Sequence, residues 1–431
     1  MLRMLIIADD LSGAADCAIA CTSTGMRAAV ALCEEGAELS AEVLSLDSNT
    51  RNLQSHLAAD RVSGLMRRYS KNPNLLVYKK VDSTLRGNVG AELAAMLKVR
   101  RDVSAMNRRV VALLAPAFPA GGRTTVNGSQ LVHGNALHES ETWQHRRSSC
   151  FADIPSMLQA AGLRPALVTL DQVRLGSDAL RHAISDLSSD ADVLVCDAET
   201  DEDLQDIATA SCVLGSETIW AGSAGLAYHL PRAVGLSNAA ASLIPNRFAT
   251  GPTLIVMGSM SSVSRQQVAA LIETQDVEVV SIPPHVLLAG SISELRAEFS
   301  SQFDKTLQKG RDIAVVLESA DRFDHSKGRL LSSALAALIS PFRDAVGSLV
   351  ASGGETARAI LERWSITSLR LIGELEPGLP FAVAEDKEMS LPVVTKAGAF
   401  GNSQTLVHCL RYLNTLERSS AGQNGSFKGS R

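Results

Sequence analysis

The chain has 431 residues, 41 basic against 46 acidic side chains for a net charge of −5, and 45% hydrophobic but only 4% aromatic residues. Two or three domains with sizeable cores are expected, while a globally basic nucleic-acid or membrane footprint is excluded, and few rings are left for base stacking or carbohydrate platforms. The seven cysteines (Cys17, Cys21, Cys33, Cys150, Cys196, Cys212, Cys409) are scattered without a CxxC pair, which indicates neither a zinc site nor a disulfide framework.

Met4 to Ala8 is predicted as the first strand; it is too short for a signal peptide and ends in Asp9 and Asp10. No window approaches ~18 charge-free apolar residues, so a soluble cytoplasmic protein is expected. Asp9-Asp10-Leu11-Ser12-Gly13 forms a turn, and Ala14 to Thr24 a small-residue helix with Cys17 and Cys21 as core thiols. Strands follow at Arg27–Leu32 and Val43–Leu46, the second running into Asp47-Ser48-Asn49-Thr50-Arg51. Leu57, Val62, Leu65, Met66 and Tyr69 lie near helical spacing. Leu75–Tyr78 reads as a buried strand, Lys79–Asn88 as a polar loop, Val89–Val99 as a helix and Val110–Leu114 as a strand.

Pro116 to Gly134 reads as one long irregular loop, a length uncommon unless functional or disordered. Strands at Ala166–Leu170 and Val193–Cys196 bracket a helix at Asp178–Leu187, and Thr218–Gly225 is a strand feeding a helix through a Gly/Ser turn. Leu236 to Gly251 has no clear period and reads as a linker. A second series then places strands at Thr253–Met257, Glu278–Ile282, Ile313–Leu317, Ser348–Ala351, Leu369–Ile372 and Pro392–Thr395. Its helices are predicted at Ser264–Glu273, Ser293–Leu307, Leu330–Ile339, Thr356–Trp364 and Gln404–Leu416. The alternation predicts an α/β chain of two domains, 1–235 and 252–416, each with a mostly parallel sheet flanked by helices. Residues 236–251 link them, and 417–431 form a Ser/Gly-rich disordered tail.

Chemistry concentrates at strand ends, where open parallel sheets place ligands. Lys79-Lys80-Val81-Asp82-Ser83-Thr84-Leu85-Arg86-Gly87-Asn88 offers cations, a carboxylate and hydroxyls suited to an anionic, hydroxylated small molecule; its ordinary reading is a solvated turn. Asp9 and Asp10 end the first strand, either as helix caps or, for Asp10 above all, as ligands for hydroxyls beside the permissive Gly13. Arg51 presents a planar fork that holds a carboxylate through two parallel hydrogen bonds, which lysine cannot do. Ser352-Gly353-Gly354-Glu355-Thr356 joins a strand to a helix, where glycines and free amides suit phosphate, although Glu355 beside a phosphate repels it unless it faces metal or ribose. Met257-Gly258-Ser259-Met260-Ser261-Ser262 and Lys396-Ala397-Gly398-Ala399-Phe400-Gly401-Asn402 are matching turns, and three in one unit form a plausible phosphate-binding crevice. GxxxxGK[ST], GxGxxG and GxSxG are all absent. His133 and His138 lack metal-ligand spacing.

In this order, ADDLSGAAD, DSNTR, KKVDSTLRGN, PAFPAGGRTTVNG, GSAGLA, SGGETA, ELEPGLP and KAGAFG resemble the four-carbon acid sugar kinase family, over residues 4 to 412. The resemblance implies an N-terminal acid-sugar domain, a C-terminal nucleotide domain and an active site between them. It implies transfer of the ATP γ-phosphoryl group to the terminal hydroxyl of a four-carbon aldonate. Substrate contacts are implied at Asp10, Arg51, Lys80, Val81, Asp82 and Ser83, and ATP contacts at Ser259, Gly353, Gly354, Glu355, Thr356 and Gly398, with Lys396 beside them. Ser12 stands where many relatives have Thr, which keeps the hydroxyl.

On this reading Arg51 holds the substrate carboxylate, and Asp82 or Asp10 orients the attacking hydroxyl. Lys80 or Arg86 neutralises the γ-phosphate, and Mg²⁺ bridges phosphate oxygens while keeping several waters; its protein ligands are unknown. D-threonate is the favoured substrate, with D-erythronate and a 3-oxo-tetronate next. The partners are thus a small sugar acid and ATP, without nucleic acid or membrane; a homo-oligomer is compatible. A non-catalytic sugar-acid sensor and an oxidoreductase are the competing readings. The missing signal peptide and the phosphate-friendly turns count against the first, the missing glycine fingerprint against the second.

Overall fold

The structure, a computed structural model, describes residues 1–32, 41–69, 72, 74–104, 109–139, 153–238, 245, 248–259, 261–288, 292–318, 327–385, 390–398 and 400–424. Two compact units divide it, Met1–Ala241 and Ser242–Arg431.

In the first unit the main-sheet strands are β1 (Met4–Ala8), β2 (Ala28–Ala31), β3 (Val43–Asp47), β4 (Leu76–Lys80), β5 (Ala112–Ala115), β9 (Pro165–Val168), β10 (Val193–Cys196) and β11 (Ile219–Gly222). They pair throughout in parallel, in the order β2-β3-β1-β4-β11-β5-β10-β9. Strands such as Met4–Ala8 are buried along their whole length, which is why they read as continuous apolar runs rather than alternating ones. Leu5, Ile7, Val77, Leu93, Met96 and Leu114 share the core on one side of this sheet. Flanking helices include α1 (Leu11–Thr22), α2 (Ser55–Tyr69), α3 (Val89–Val103), α4 (Ser177–Ser188), α5 (Asp201–Ser211) and α6 (Ala224–Ala233).

Three departures from expectation matter for the site. Helix α1 begins at Leu11, since Asp10 caps it, so the expected turn over 9–13 is mostly helix. Strand β4 continues through Lys79 and Lys80, which are therefore strand residues and not loop residues. The stretch 116–134 is ordered: a short 3₁₀ turn at Pro119–Gly121 leads into an antiparallel sheet of β6 (Arg123–Val126), β7 (Ser129–Val132) and β8 (Asn135–Ala136). Asn127 and Gly128 take φ of 50° and 71° between β6 and β7, the left-handed pair that a two-residue hairpin turn requires. Helix α5 was also not anticipated, although Thr200 and Asp203 form a capping box at its start.

In the second unit β12 (Thr253–Met257), β13 (Val277–Ile282), β14 (Asp312–Leu317), β15 (Ser348–Ser352) and β18 (Ser390–Lys396) pair in parallel in the order β13-β14-β12-β15-β18. Strands β17 (Pro380–Glu385) and β16 (Ser368–Glu374) extend that sheet antiparallel to their neighbours; β17 was not anticipated. Helices α7 (Ser262–Thr274), α8 (Ile292–Gln308), α9 (Gly328–Ile339), α10 (Gly354–Arg363) and α11 (Thr405–Asn424) flank it. Helix α11 runs past the expected end at Leu416, into the stretch expected to be a disordered tail; 425–431 lie outside the described residues, as does half of the expected linker. Among the described residues no helix is long and apolar enough to cross a membrane.

Candidate functional site

Strand register assembles the first cluster. Ala8 lies beside Asp47 on one side and Lys80 on the other, and Lys80 lies beside Gly222. The carboxyl ends of β3, β1, β4 and β11 thus stand in a row, where chain order reverses about β1, and their loops converge. Successive residues of β4 face opposite ways. Lys79 meets Glu92 of α3 in a fully buried ion pair of 2.6 Å, while Lys80 joins Asp10 and Gly13. A methyl group on Gly13 would lie 2.7 Å from Lys80 Nζ and 2.8 Å from Asp10 Oδ1, so a larger residue there would push both side-chain ends from their places.

Arg51 is the hub. Its Nε donates to Asp9 Oδ2 at 2.7 Å and Nη2 to Asp9 Oδ1 at 2.9 Å, a bidentate pair. Nη1 donates to Asp10 Oδ2 at 2.6 Å, and Nη2 lies 3.5 Å from Asp82 Oδ1. The edge expected to grip a substrate carboxylate grips Asp9 instead, because parallel register sets the end of β1 directly against the loop after β3. Asp10 does two jobs: Oδ1 accepts the Gly13 amide at 2.9 Å as a helix cap while Oδ2 binds Arg51.

Asp82 is more heavily bound. Arg86 Nε and Nη2 donate to its two oxygens at 2.8 and 2.6 Å, and the Thr84 amide and hydroxyl also donate to it. Burial alone would raise its carboxyl; the Arg86 and Arg51 guanidiniums outweigh that and hold it well below the usual carboxylate range. Asp9 is likewise depressed, with burial opposed by Arg51, Lys79 and Lys80. Burial would lower Lys80, but the negative groups around it, Asp10 and Asp9 among them, raise it, so it stays a cation. Asp10, at 21% side-chain exposure against 3% for Asp9 and 9% for Asp82, is the most open of the three carboxylates.

Of the other expected residues, Val81 packs in the core with its amide on Gly222 O at 2.8 Å, and Ser83 accepts at its carbonyl from Gln130 Nε2 at 2.8 Å. Residues outside the expected contact set complete the frame. Asn88 Nδ2 holds the carbonyls of Thr50 and Leu53 at 3.1 and 3.0 Å, clamping the Arg51 loop to the Arg86 loop. Ser12 Oγ is buried, with no hydrogen-bond partner among the described residues. The Asn127-Gly128 dipeptide was the available signal for the hairpin that carries Gln130.

The second unit repeats the placement with different chemistry. Met257 pairs with Ser352, and Ser352 with Lys396, so the turns after β12, β15 and β18 are neighbours. Gly353 (φ 102°) donates its amide to Lys396 O at 2.8 Å, and no side chain caps α10 behind it. A Cβ on Gly258 would overlap Thr356 Oγ1; one on Gly398 would come within 2.7 Å of Ser259 Cβ. Thr356 Oγ1 meets Ser332 Oγ at 3.1 Å, Glu355 lies in the first turn of α10, and Ser352 Oγ is buried without a partner among the described residues. Met260 and Ala399 lie outside the described residues.

Lys396 departs from expectation. Its ammonium donates to the carbonyls of Ala397, Gly398 and Phe400 at 3.0, 3.0 and 3.1 Å, so it staples its own loop rather than presenting a free cation. Burial pushes it down to about 8. Ser261, Ser264 and Gln267 bind the same loop's carbonyls. An uncapped helix start, the left-handed Gly353 before it and an orphaned hydroxyl fit phosphate oxygens. Among the described residues no group of three or more His, Cys, Asp or Glu side chains stands together to hold a metal.

Comparison with known proteins agrees with this division. A sugar-binding N-terminal domain family matches residues 4–230, and a nucleotide-binding C-terminal domain family matches residues 254–406. The chain is 38% identical to a D-threonate kinase of Cupriavidus necator, over 97% of this chain and 100% of that one. It is 30% identical to a D-threonate kinase of Salmonella typhimurium, over 96% and 99%. A solved structure from Salmonella typhimurium LT2, described as a putative tRNA synthase, superposes with a TM-score of 0.76 at 22% identity, over 96% of this chain and 100% of that one, which bears on the fold alone. By full-length similarity and by both domain matches, the chain belongs to the four-carbon acid sugar kinase family.

Proposed function

We propose that this protein transfers the ATP γ-phosphoryl group to the terminal hydroxyl of a four-carbon sugar acid, with D-threonate the preferred acceptor. The observation that carries the reading is the chemical contrast between two sets of strand-end loops. One is a charged network centred on Arg51; the other is a glycine-lined helix start. The first suits a short hydroxylated acid, the second a polyphosphate. Relatives named D-threonate kinase support the choice of acid.

Phosphoryl transfer asks mainly for positioning and charge stabilisation. Arg51 fixes Asp9 and Asp10 through its three hydrogen bonds. Asp10 keeps lone pairs for a substrate hydroxyl and is the better placed group to orient it. Asp82 is held ionised and covered by donors, so it reads hydroxyls or steadies Arg86 rather than taking the proton. Lys80 faces the developing charge on the transferred group. Ser259, Gly353, Gly354, Glu355, Thr356 and Gly398 form the nucleotide phosphate contacts, through amides and hydroxyls, with Lys396 supporting the loop. A Mg²⁺ ion brought in with the nucleotide would supply charge neutralisation at the phosphates.

ADP release measured with D-threonate, L-threonate, D-erythronate and 3-oxo-tetronate tests the proposal. The expected result is the highest kcat/KM for D-threonate, because a site that bonds each hydroxyl leaves groups unpaired with the wrong epimer. Turnover of a longer aldonate but none of these four would remove the four-carbon assignment. Sugar-acid binding without ADP release would favour a sensor.

A further inference from the structure

We propose that Arg123, on the β6–β7 hairpin, is the residue that binds the substrate carboxylate. The inference rests on the proposed sugar-acid substrate and deepens it.

The charged network leaves an acid few partners. Arg51 has its fork on Asp9 and a third donor on Asp10. Arg86 has its fork on Asp82. Lys79 is buried against Glu92. Lys80 stays a cation beside Gly13, under the influence of Asp10 and Asp9, and as a point charge it lacks the planar fork that matches a carboxylate. Among the described residues around this cluster, Arg123 is the guanidinium that keeps an unpartnered Nε. Its Nε is buried and has no hydrogen-bond partner among the described residues, while Nη1 donates to the Gly121 carbonyl. A buried donor without an acceptor is costly, and an incoming carboxylate supplies that acceptor together with the missing charge.

The hairpin is built to hold Arg123 at the site. Gln130, from the facing strand, binds the Ser83 carbonyl at 2.8 Å, directly on the loop that carries Asp82 and Arg86. Thr125 exchanges both backbone hydrogen bonds with Ala198 at 2.9 and 3.0 Å, and its hydroxyl donates to Gln130 at 2.8 Å. Asp197 takes the amides of Asn127 and Gly128 at 2.8 and 2.9 Å, pinning the hairpin turn. Arg123 itself pairs across a tight turn with Phe118. Its guanidinium lies close enough to feel Asp82 and Arg86: burial lowers it, Asp82 partly offsets this, and Arg86 lowers it further. Asp82 is already shared by two other guanidiniums, so Arg123 is a cation short of an anion.

The test compares D-threonate with threitol, which carries a neutral hydroxymethyl group in place of the carboxylate, in the full-length enzyme with ATP. Arg123→Ala should raise KM for D-threonate by roughly 10- to 150-fold, the range for losing a charged hydrogen bond. KM for ATP and kcat/KM for threitol should stay near wild type. Arg123→Lys, which keeps the charge but loses the fork, should restore part of the affinity. An unchanged D-threonate KM, or equal losses for acid and alcohol, overturns the assignment. If Arg123→Ala does not fold, Arg123→Lys decides by the same acid-against-alcohol ratio. Failure of the wild-type enzyme to phosphorylate any four-carbon acid would instead overturn the proposed function, so the two failures are distinct.

Discussion

The two sets of strand-end loops occupy equivalent places in two parallel sheets yet work by opposite means. After β1, β3 and β4, side chains do the work: Asp9, Asp10 and Asp82 interlock with Arg51 and Arg86. After β12, β15 and β18, side chains withdraw. Gly258 and Gly398 let Thr356 and Ser259 pack close against the backbone, Gly353 takes a left-handed turn, and Lys396 turns inward to bind carbonyls. A small chiral acid must be read hydroxyl by hydroxyl, which takes side chains at fixed angles. Phosphate oxygens are interchangeable and strongly charged, so amides at a helix start suffice.

The largest expected effect comes from breaking the charged side. Asp9→Ala leaves the Arg51 guanidinium, 15% exposed, without its bidentate partner. Stripping a buried ion pair of one member costs about 3–5 kcal/mol. Urea titration should show that loss while nucleotide affinity by calorimetry stays near wild type. Parallel losses in both would mean that the two sites are not independent.

Gly258→Ala attacks the other side and should do less. The new methyl overlaps Thr356 Oγ1 in the first turn of α10, and overpacking of this kind costs about 1–3 kcal/mol. Nucleotide affinity should fall while sugar-acid affinity holds. A variant with unaltered nucleotide binding would remove this turn from the phosphate site.

The smallest effect is a difference in pH response. Asp9 and Asp82 have folded-state values below their unfolded ones. Their contribution is therefore complete above the unfolded carboxylate value near 4 and is lost as pH falls through the lower folded values. Thermal melts between pH 7 and pH 2.5 should show Asp82→Asn less stable than wild type at neutral pH, with the gap narrowing below about pH 4. A constant gap would show that the Asp82 charge does not stabilise the fold.

Much of this was readable one residue at a time. Continuous apolar runs such as Met4–Ala8 and Thr253–Met257 announced buried parallel strands, and polar stretches directly after them announced the loops that matter. The hairpin at 123–132 was readable too, through Asn127-Gly128, but the density of Gly, Pro and Thr masked it. Strand β17 was harder, since Pro380 and Glu385 disguise an extended segment at its ends.

Alternation, turn chemistry and the order of the motifs are short-range properties, so the chain alone carries the α/β architecture, the strand-end position of each candidate loop and the family. Which charges pair is not short-range. Asp9 and Arg51 stand 42 residues apart and meet only because β1 and β3 pair in one register. The same holds for Lys79 and Lys80: adjacent in sequence, they are sent by strand geometry to opposite faces, one into a buried ion pair and one into the site. The packing of sheet and loops decided that Arg51 holds Asp9, that Lys396 holds its own loop, and that Arg123 Nε is buried without a hydrogen-bond partner among the described residues.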